Sequence, residues 1–265
     1  MFDRHKAGMR LTPTGEIMIR QAADMEASAL EIEQKLAGAD KELAGTVRIS
    51  LSEGLAEYWL VPRLVEFQQM HPHIVIELVC KNRVVDLALR EADIAIRYAR
   101  PREPRLVIKK VGVLRLLLFA SQSYLHVFGE PKTYDDLLRH RLVDHTALHL
   151  NPAWASWMDL VSRHDAIVLK ANSTGAVLSA IHKGMGIGLL PAYTMGLIPE
   201  FVPLEIDLQC RCDMWLVSHE ETNRGARVRA VLDHLSELFE RDRSKWFCES
   251  PSRRIEGTPY FAAVC

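Results

Sequence analysis

Gly45-Thr46-Val47-Arg48-Ile49-Ser50-Leu51, followed by Ser52-Glu53-Gly54, alternates apolar and polar residues and then breaks into turn chemistry. That pattern predicts a strand delivered into a turn. A helical stretch comes next, with Leu60, Leu64, Val65 and Phe67 on its apolar face and Pro62 near its start or at a kink. His71-Pro72 ends it, and Ile74-Val75-Ile76-Glu77-Leu78-Val79 then runs almost continuously apolar, as a strand covered on both faces does. Residues 84–91 read as a short helix, and Ala92-Asp93-Ile94-Ala95-Ile96-Arg97-Tyr98 as a third strand. Strand, helix, strand, helix, strand in that order predicts an α/β fold with a mostly parallel sheet.

Toward the C-terminus, Arg100-Pro101-Arg102-Glu103-Pro104 is a loop, and residues 106–120 form a β-rich segment long enough to pass from one lobe into a second. That lobe is expected to contain a strand over 141–144, a packed Trp154 and Trp157, a strand over 166–169 and a helix opened by Asn172-Ser173-Thr174 and running to about Lys183. Gly184-Met185-Gly186-Ile187-Gly188-Leu189-Leu190-Pro191 turns into a further strand. Met214-Trp215-Leu216-Val217-Ser218 returns to the first lobe, and a closing helix over 226–239 buries Val228, Val231, Leu232, Leu235, Leu238 and Phe239. Periodicity ends at Lys245.

Toward the N-terminus, Thr12 reads as an N-cap, Pro13 as the first helical residue and Glu16 as a first-turn acid. Met18, Ala22, Met25, Ala29, Ile32, Leu36, Ala39 and Leu43 follow at spacings of four and three, a narrow seam along a helix of about thirty residues and ~45 Å. The seam predicts a helix-to-helix dimer; an amphipathic helix lying on its own domain is the alternative. Residues 1–10 carry Arg4, Lys6 and Arg10 around Ala7-Gly8, a turn signal between two extended pieces.

With 265 residues and a net charge of −1, the chain has no global basic field to attract nucleic acid, so any such contact must be local. No run approaches the ~20 apolar residues of a membrane span, and no membrane partner is expected. Five scattered cysteines suit a reducing compartment, and a cytoplasmic protein is expected. Cys210-Arg211-Cys212 lacks a second pair at ligand spacing, so no metal or other cofactor is expected. The 184–188 glycines stand between helix and strand, the wrong order for a dinucleotide fingerprint. His145 and His149 stand four apart without the glutamate of a zincin pair. No nucleophile elbow or Walker loop appears, and no catalytic residues are assigned.

Phe2-Asp3-Arg4 with Gly8-Met9-Arg10-Leu11-Thr12-Pro13-Thr14-Gly15 resembles the wing and linker-helix entry of the LysR-type transcriptional regulators. Trp59-Leu60-Val61-Pro62-Arg63-Leu64, Phe67, Pro72, Asp86-Leu87 and Asp93-Ile94-Ala95-Ile96-Arg97-Tyr98 resemble the effector-binding domain of that family. Ser173, Ala180, Gly184-Met185-Gly186-Ile187 and Leu190-Pro191, with Trp154 and Trp157, look most like its glycine-cleavage-activator branch. The resemblance implies two α/β lobes joined by crossover strands, similar to periplasmic binding proteins and preceded by a long dimerisation helix. It divides the chain into a wing remnant (1–12), linker helix (13–43), lobe I (45–119 and 218–243), lobe II (120–217) and an irregular tail (245–265). It implies a DNA-binding transcriptional regulator, dimeric or higher, that senses a small molecule. The winged helix-turn-helix of the family would precede residue 1, so the chain is expected to be truncated, leaving Arg4, Lys6 and Arg10 only weak phosphate contact. A solute-binding protein of a transport system is the alternative.

Open α/β sheets bind ligands beyond the carboxyl ends of their strands, where helix N-termini present unpaired N–H groups. That rule nominates Ser50, Ser52 and Glu53, then Arg97 and Tyr98, then Ser173 and Thr174 as effector-binding residues facing one cleft. Ser52 and Ser173 are expected to donate to a ligand carboxylate, with Arg97 as a charged fork. A cap is the plain alternative for Ser173. Glu53 disfavours a purely anionic ligand and would welcome an amine, which points to an amino acid or amine; the partner expected is a small-molecule effector, an amino acid or organic acid.

Overall fold

The computed structural model describes residues 2–5, 8–38, 42–80 and 92–247. Lys6, Ala39, the helix expected over 84–91 with Asp86-Leu87, and the tail beyond residue 247 lie outside the described residues.

β1 (Phe2–His5) and β2 (Gly8–Leu11) form an antiparallel hairpin with Arg4 opposite Met9 and Arg10 opposite Asp3. It feeds α1 (Pro13–Gly38). The Thr12 hydroxyl accepts the Gly15 N–H at 3.0 Å, and the Glu16 N–H donates to the Thr12 carbonyl at 2.9 Å, the first intrahelical bond. α1 is described to Gly38 and does not include residue 43: Leu43 lies in a bend ahead of Gly45, whose φ is +102°. Met18, Ala22, Met25 and Ala29 are all exposed. At roughly 100° per residue the partly covered Ala27 and Leu30 lie on the other side of the helix, and α1 approaches the turn Thr222–Arg224.

β3 (Gly45–Leu51) lies between β4 (Ile74–Cys80) and β5 (Ile94–Arg97), parallel to both. β3 leads into α2 (Glu53–Leu55), a π turn (Ala56–Leu60), a 3-10 turn (Val61–Arg63) and α3 (Leu64–Met70). This irregularity follows from Pro62, which has no N–H to donate to a carbonyl one turn back.

β6 (Leu106–Ser121) comes next, followed by α4 (Gln122–Phe128), α5 (Tyr134–Leu137), β7 (Leu142–His145), α6 (Ala155–Ser162) and β8 (Ile167–Ala171). α7 (Thr174–His182), β9 (Ile187–Pro191), β10 (Phe201–Pro203), β11 (Arg211–His219) and α8 (Ala226–Trp246) follow among the described residues. The strand order is β4-β3-β5-β11-β6-β9-β7-β8, with β10 on the second half of β6. Pairing is parallel among β3, β4 and β5 and among β7, β8 and β9, and antiparallel through β11 and β6 at the centre. β6 therefore belongs to both lobes: Leu106 to Arg115 pair with β11, and Leu116 to Phe119 with β9.

The apolar face of α8 packs on the first lobe, burying Val228, Val231, Leu235, Leu238 and Phe239, while Leu232 is partly covered. Order continues beyond Lys245, where an irregular tail is expected from the sequence: Trp246 and Phe247 are buried, and the Phe247 carbonyl accepts the Val113 N–H at 2.9 Å. Gly112 makes this docking possible, since a Cβ there would lie 2.7 Å from that of Phe247. Trp59 packs between Phe239, tilted against it at a centroid distance of 4.4 Å, and Phe247, edge-on at 5.1 Å. Its indole N–H donates to Asp242 at 2.8 Å, and Asp242 pairs with the buried Arg63 at 2.7 Å. Asp242→Ala would strand the Arg63 charge and is expected to lower the unfolding free energy by about 3–5 kcal/mol. The double change Arg63→Met/Asp242→Leu is expected to recover most of that loss in urea titrations.

Candidate functional site

A cavity of about 460 Å³ lies between the lobes, at the carboxyl ends of β3 and β5 and beside the N-terminus of α7. Leu51 and Ile96 supply its wall from the first lobe, Leu114 and Leu116 from the point where β6 changes partners, and Leu189 from β9. Trp154 and Tyr193, both buried, close its far side. The walls are mostly apolar, and the charged lining residues are Arg97 at the end of β5 and Arg100, Arg102 and Glu103 of the loop that follows it. Arg100, Arg102 and Glu103 are exposed, and Ser52, Tyr98, His145, Asn151 and Thr174 add polar groups to the walls.

The nominated residues converge on this region, with different partners from those expected. The Ser52 and Tyr98 hydroxyls share a hydrogen bond of 2.6 Å, and burial raises the Tyr98 pKa, keeping it a neutral phenol. Arg97 Nη1 lies 3.4 Å from the buried Ser50 hydroxyl. The Ser173 hydroxyl is not open to a ligand carboxylate: it donates to Glu53 Oε1 at 3.1 Å and accepts the Ala176 N–H at 3.4 Å. The Thr174 N–H donates to Glu53 Oε2 at 3.0 Å. Glu53 of α2 therefore reaches across the cleft and caps α7, where the helix dipole and unpaired N–H groups favour negative charge. Gly54 permits this approach, because a Cβ there would meet Thr174 Cγ2 at 2.8 Å.

His145, Trp154, Tyr193 and the leucines of β6 line the cavity without having been nominated from sequence. His145 Nε2 shares a 3.1 Å hydrogen bond with Thr174 Oγ1, and burial lowers its pKa from 6.5 more than the nearby Glu53 and Asp144 raise it. Asp144 is fully buried, with Oδ1 accepting from the Trp157 indole at 3.2 Å and lying 3.0 Å from His149 Nε2. Trp157 is thus a packing residue, as expected, whereas Trp154 faces the cavity. Among the described residues no cluster of His, Cys, Asp or Glu is arranged to hold a metal ion, and no helix is long and apolar enough to cross a membrane.

Two α/β lobes sharing a long crossover strand, with a mostly apolar cavity at the strand ends, give the chain a fold like that of periplasmic binding proteins. The sequence matches the LysR substrate binding domain over residues 40–240, and the chain belongs to that family. It is 30% identical over 195 residues to the uncharacterized HTH-type transcriptional regulator YhjC of Escherichia coli K12, covering 72% of this chain and 65% of YhjC. It is 27% identical over 198 residues to the glycine cleavage system transcriptional activator of the same organism, covering 71% of this chain and 61% of that protein. The chain thus spans under two thirds of the length of each. Among solved structures, full-length AphB, the Vibrio cholerae virulence activator, superposes with a TM-score of 0.65 at 22% identity, over 89% of this chain and 82% of AphB. That likeness supports the fold.

His145, His140 and His234 all have pKa values lowered by burial. Their folded pKa lies below the ordinary 6.5, so the stability they allow is fully present above pH 6.5 and is lost as pH falls through that value toward the folded one. The urea midpoint is expected to be lower at about pH 5.5 than at about pH 7.5. His145→Gln should reduce that difference, and an undiminished difference would show that His145 does not contribute.

Proposed function

We propose that this chain is the effector-sensing and dimerising part of a LysR-type transcriptional regulator, in which a small organic molecule enters the interlobe cavity and shifts the arrangement of paired subunits. The observation that carries this reading is the mostly apolar cavity at the carboxyl ends of strands from both lobes. Its family membership adds weight, as do relatives named as HTH-type transcriptional regulators rather than transport proteins. Of the nominated effector residues, Ser52, Arg97, Tyr98 and Thr174 line the cavity, while Ser50, Glu53 and Ser173 stand behind them through hydrogen bonds, and the effector belongs among amino acids and organic acids. The site binds without making or breaking covalent bonds, and the regulator works in the cytoplasm.

The exposed stripe Met18, Ala22, Met25 and Ala29, continued in sequence by Ile32 and Leu36, is the proposed dimer seam. The β1–β2 hairpin, with Arg4 and Arg10, stands as a wing that contributes phosphate contacts to DNA together with Lys6. Met18→Glu/Met25→Glu is expected to convert a dimer at micromolar concentration to monomer in analytical ultracentrifugation, with the circular dichroism of the lobes unchanged. A thermal-shift screen of amino acids and organic acids should yield ligands whose stabilisation Leu116→Trp abolishes by filling the cavity. A wild-type monomer would remove the seam, and a screen without ligands would remove the effector site.

A further inference from the structure

The joint between the lobes is closed by an acid that the chain itself supplies. Glu53 stands on α2 of lobe I, and both of its carboxylate oxygens are engaged on lobe II: Oε1 accepts from the Ser173 hydroxyl at 3.1 Å and Oε2 from the Thr174 N–H at 3.0 Å. The receiving end is held firm. Thr174 is buried, its hydroxyl is tied to His145 Nε2 at 3.1 Å, and it opens α7, where the aligned peptide dipoles favour negative charge. Two glycines let the elements approach: a Cβ on Gly54 would lie 2.8 Å from Thr174 Cγ2, and one on Gly175 would lie 3.4 Å from the Tyr58 hydroxyl. Residues 53–58 of lobe I are thus seated on the first turn of α7 both by a charge-assisted pair of hydrogen bonds and by close packing.

The same contact is part of the cavity wall. Ser52 and Gly54, on either side of Glu53, line the cavity, and so does Thr174 opposite them. The covalent join between the lobes lies elsewhere, where β6 changes partners and the Leu116 N–H donates to the Cys210 carbonyl at 2.9 Å ahead of β11. A joint fastened by the chain at one place and by side-chain hydrogen bonds at another opens at the second. Glu53 and Ser173 are partly exposed, so water exchanges with their contacts readily. We propose that Glu53 is a latch: its carboxylate, set across Ser173 and Thr174, keeps the lobes shut over the cavity, and release of that one side chain opens the wall formed by Ser52, Gly54 and Thr174. The latch is intramolecular, so it goes beyond the cavity's role as an effector site and stands or falls separately from it. It needs both charge and reach. Aspartate keeps the charge but is one methylene too short to span both donors, and glutamine keeps the reach but offers a single uncharged acceptor oxygen.

Hydrogen exchange read by mass spectrometry on the full chain tests the latch, with wild type beside Glu53→Gln, Glu53→Asp and Ser173→Ala. Glu53→Gln is expected to speed exchange about tenfold in the first turn of α7 and also in residues 97–103 of lobe I and 145–154 of lobe II, which border the cavity on its other sides. Glu53→Asp is expected to do the same, because the charge is retained and the reach is lost. Ser173→Ala removes one arm and leaves the Thr174 N–H, so about a threefold change is expected in the same segments. That variant carries the decision if Glu53→Gln does not fold. Faster exchange confined to residues 173–177 would make Glu53 a helix cap and nothing more, and would overturn the latch. Glu53 variants that exchange like wild type throughout would overturn it as well. No ligand enters the measurement, so either outcome leaves the effector reading of the cavity to its own screen.

Discussion

Everything in this molecule depends on the backbone hydrogen bonding of one strand. β6 is sixteen residues long, about three times the usual strand length. It spends its first ten residues against β11 and then, from Leu116, pairs with β9. Because the ladder continues without a loop, the two lobes cannot separate, yet the change of partner lets each half of the sheet follow its own twist. The cavity sits at this changeover, walled by Leu114 and Leu116 from the two sides of it. A hollow between lobes is therefore a consequence of strand topology, since two sheets that share a strand must diverge somewhere along it.

The cleft is held by few polar contacts, and their distribution matters more than their number. Ser52 with Tyr98 joins elements of lobe I, and His145 with Thr174 joins elements of lobe II. Glu53 with Ser173 and Thr174 crosses between the lobes. It lies on the partly exposed side, where a charge-assisted bond contributes modestly and is exchanged readily with water. Such a clasp suits a joint that must open and close. The buried Arg63–Asp242–Trp59 set is its opposite, a tie inside lobe I whose loss on either side strands a charge.

Much of the fold was legible because it rests on local chemistry. Thr12 and Pro13 announced the start of α1, alternation over residues 45–51 announced β3, and the length of the 106–121 segment announced a crossover. The shape of the helix through Pro62 was only partly legible, since a proline marks the break but not whether π or 3-10 geometry absorbs it. The site divided in the same way. Residues at strand ends could be nominated by rule, and Glu53 was already conspicuous as an acid where an anion seat was expected. Its actual partners are 120 and 121 residues away, and nothing local in the sequence pairs them. His145 and Trp154 were noticed for other reasons, a histidine pair and a packed tryptophan, and Tyr193 not at all, because a cavity wall is set by which strands become neighbours. The end of α8 was misjudged for a related reason: Trp246 and Phe247 follow a charged stretch that lacks apolar periodicity, and they are ordered by Trp59 and Gly112, far away in sequence.

The two sheets differ in how the chain visits them. The strands that pair as β7, β8 and β9 come from one uninterrupted stretch, whereas β3, β4 and β5 are completed by β11 and sealed by α8, which arrive only after that stretch has been made. During synthesis on the ribosome, the later sheet can therefore assemble while the earlier one waits, with Val47, Ile49, Trp59 and Phe67 short of the surface that covers them in the finished molecule. The nascent chain thus carries a sticky, half-built layer until its last helix emerges, and truncation near the C-terminus would harm the half that was translated first.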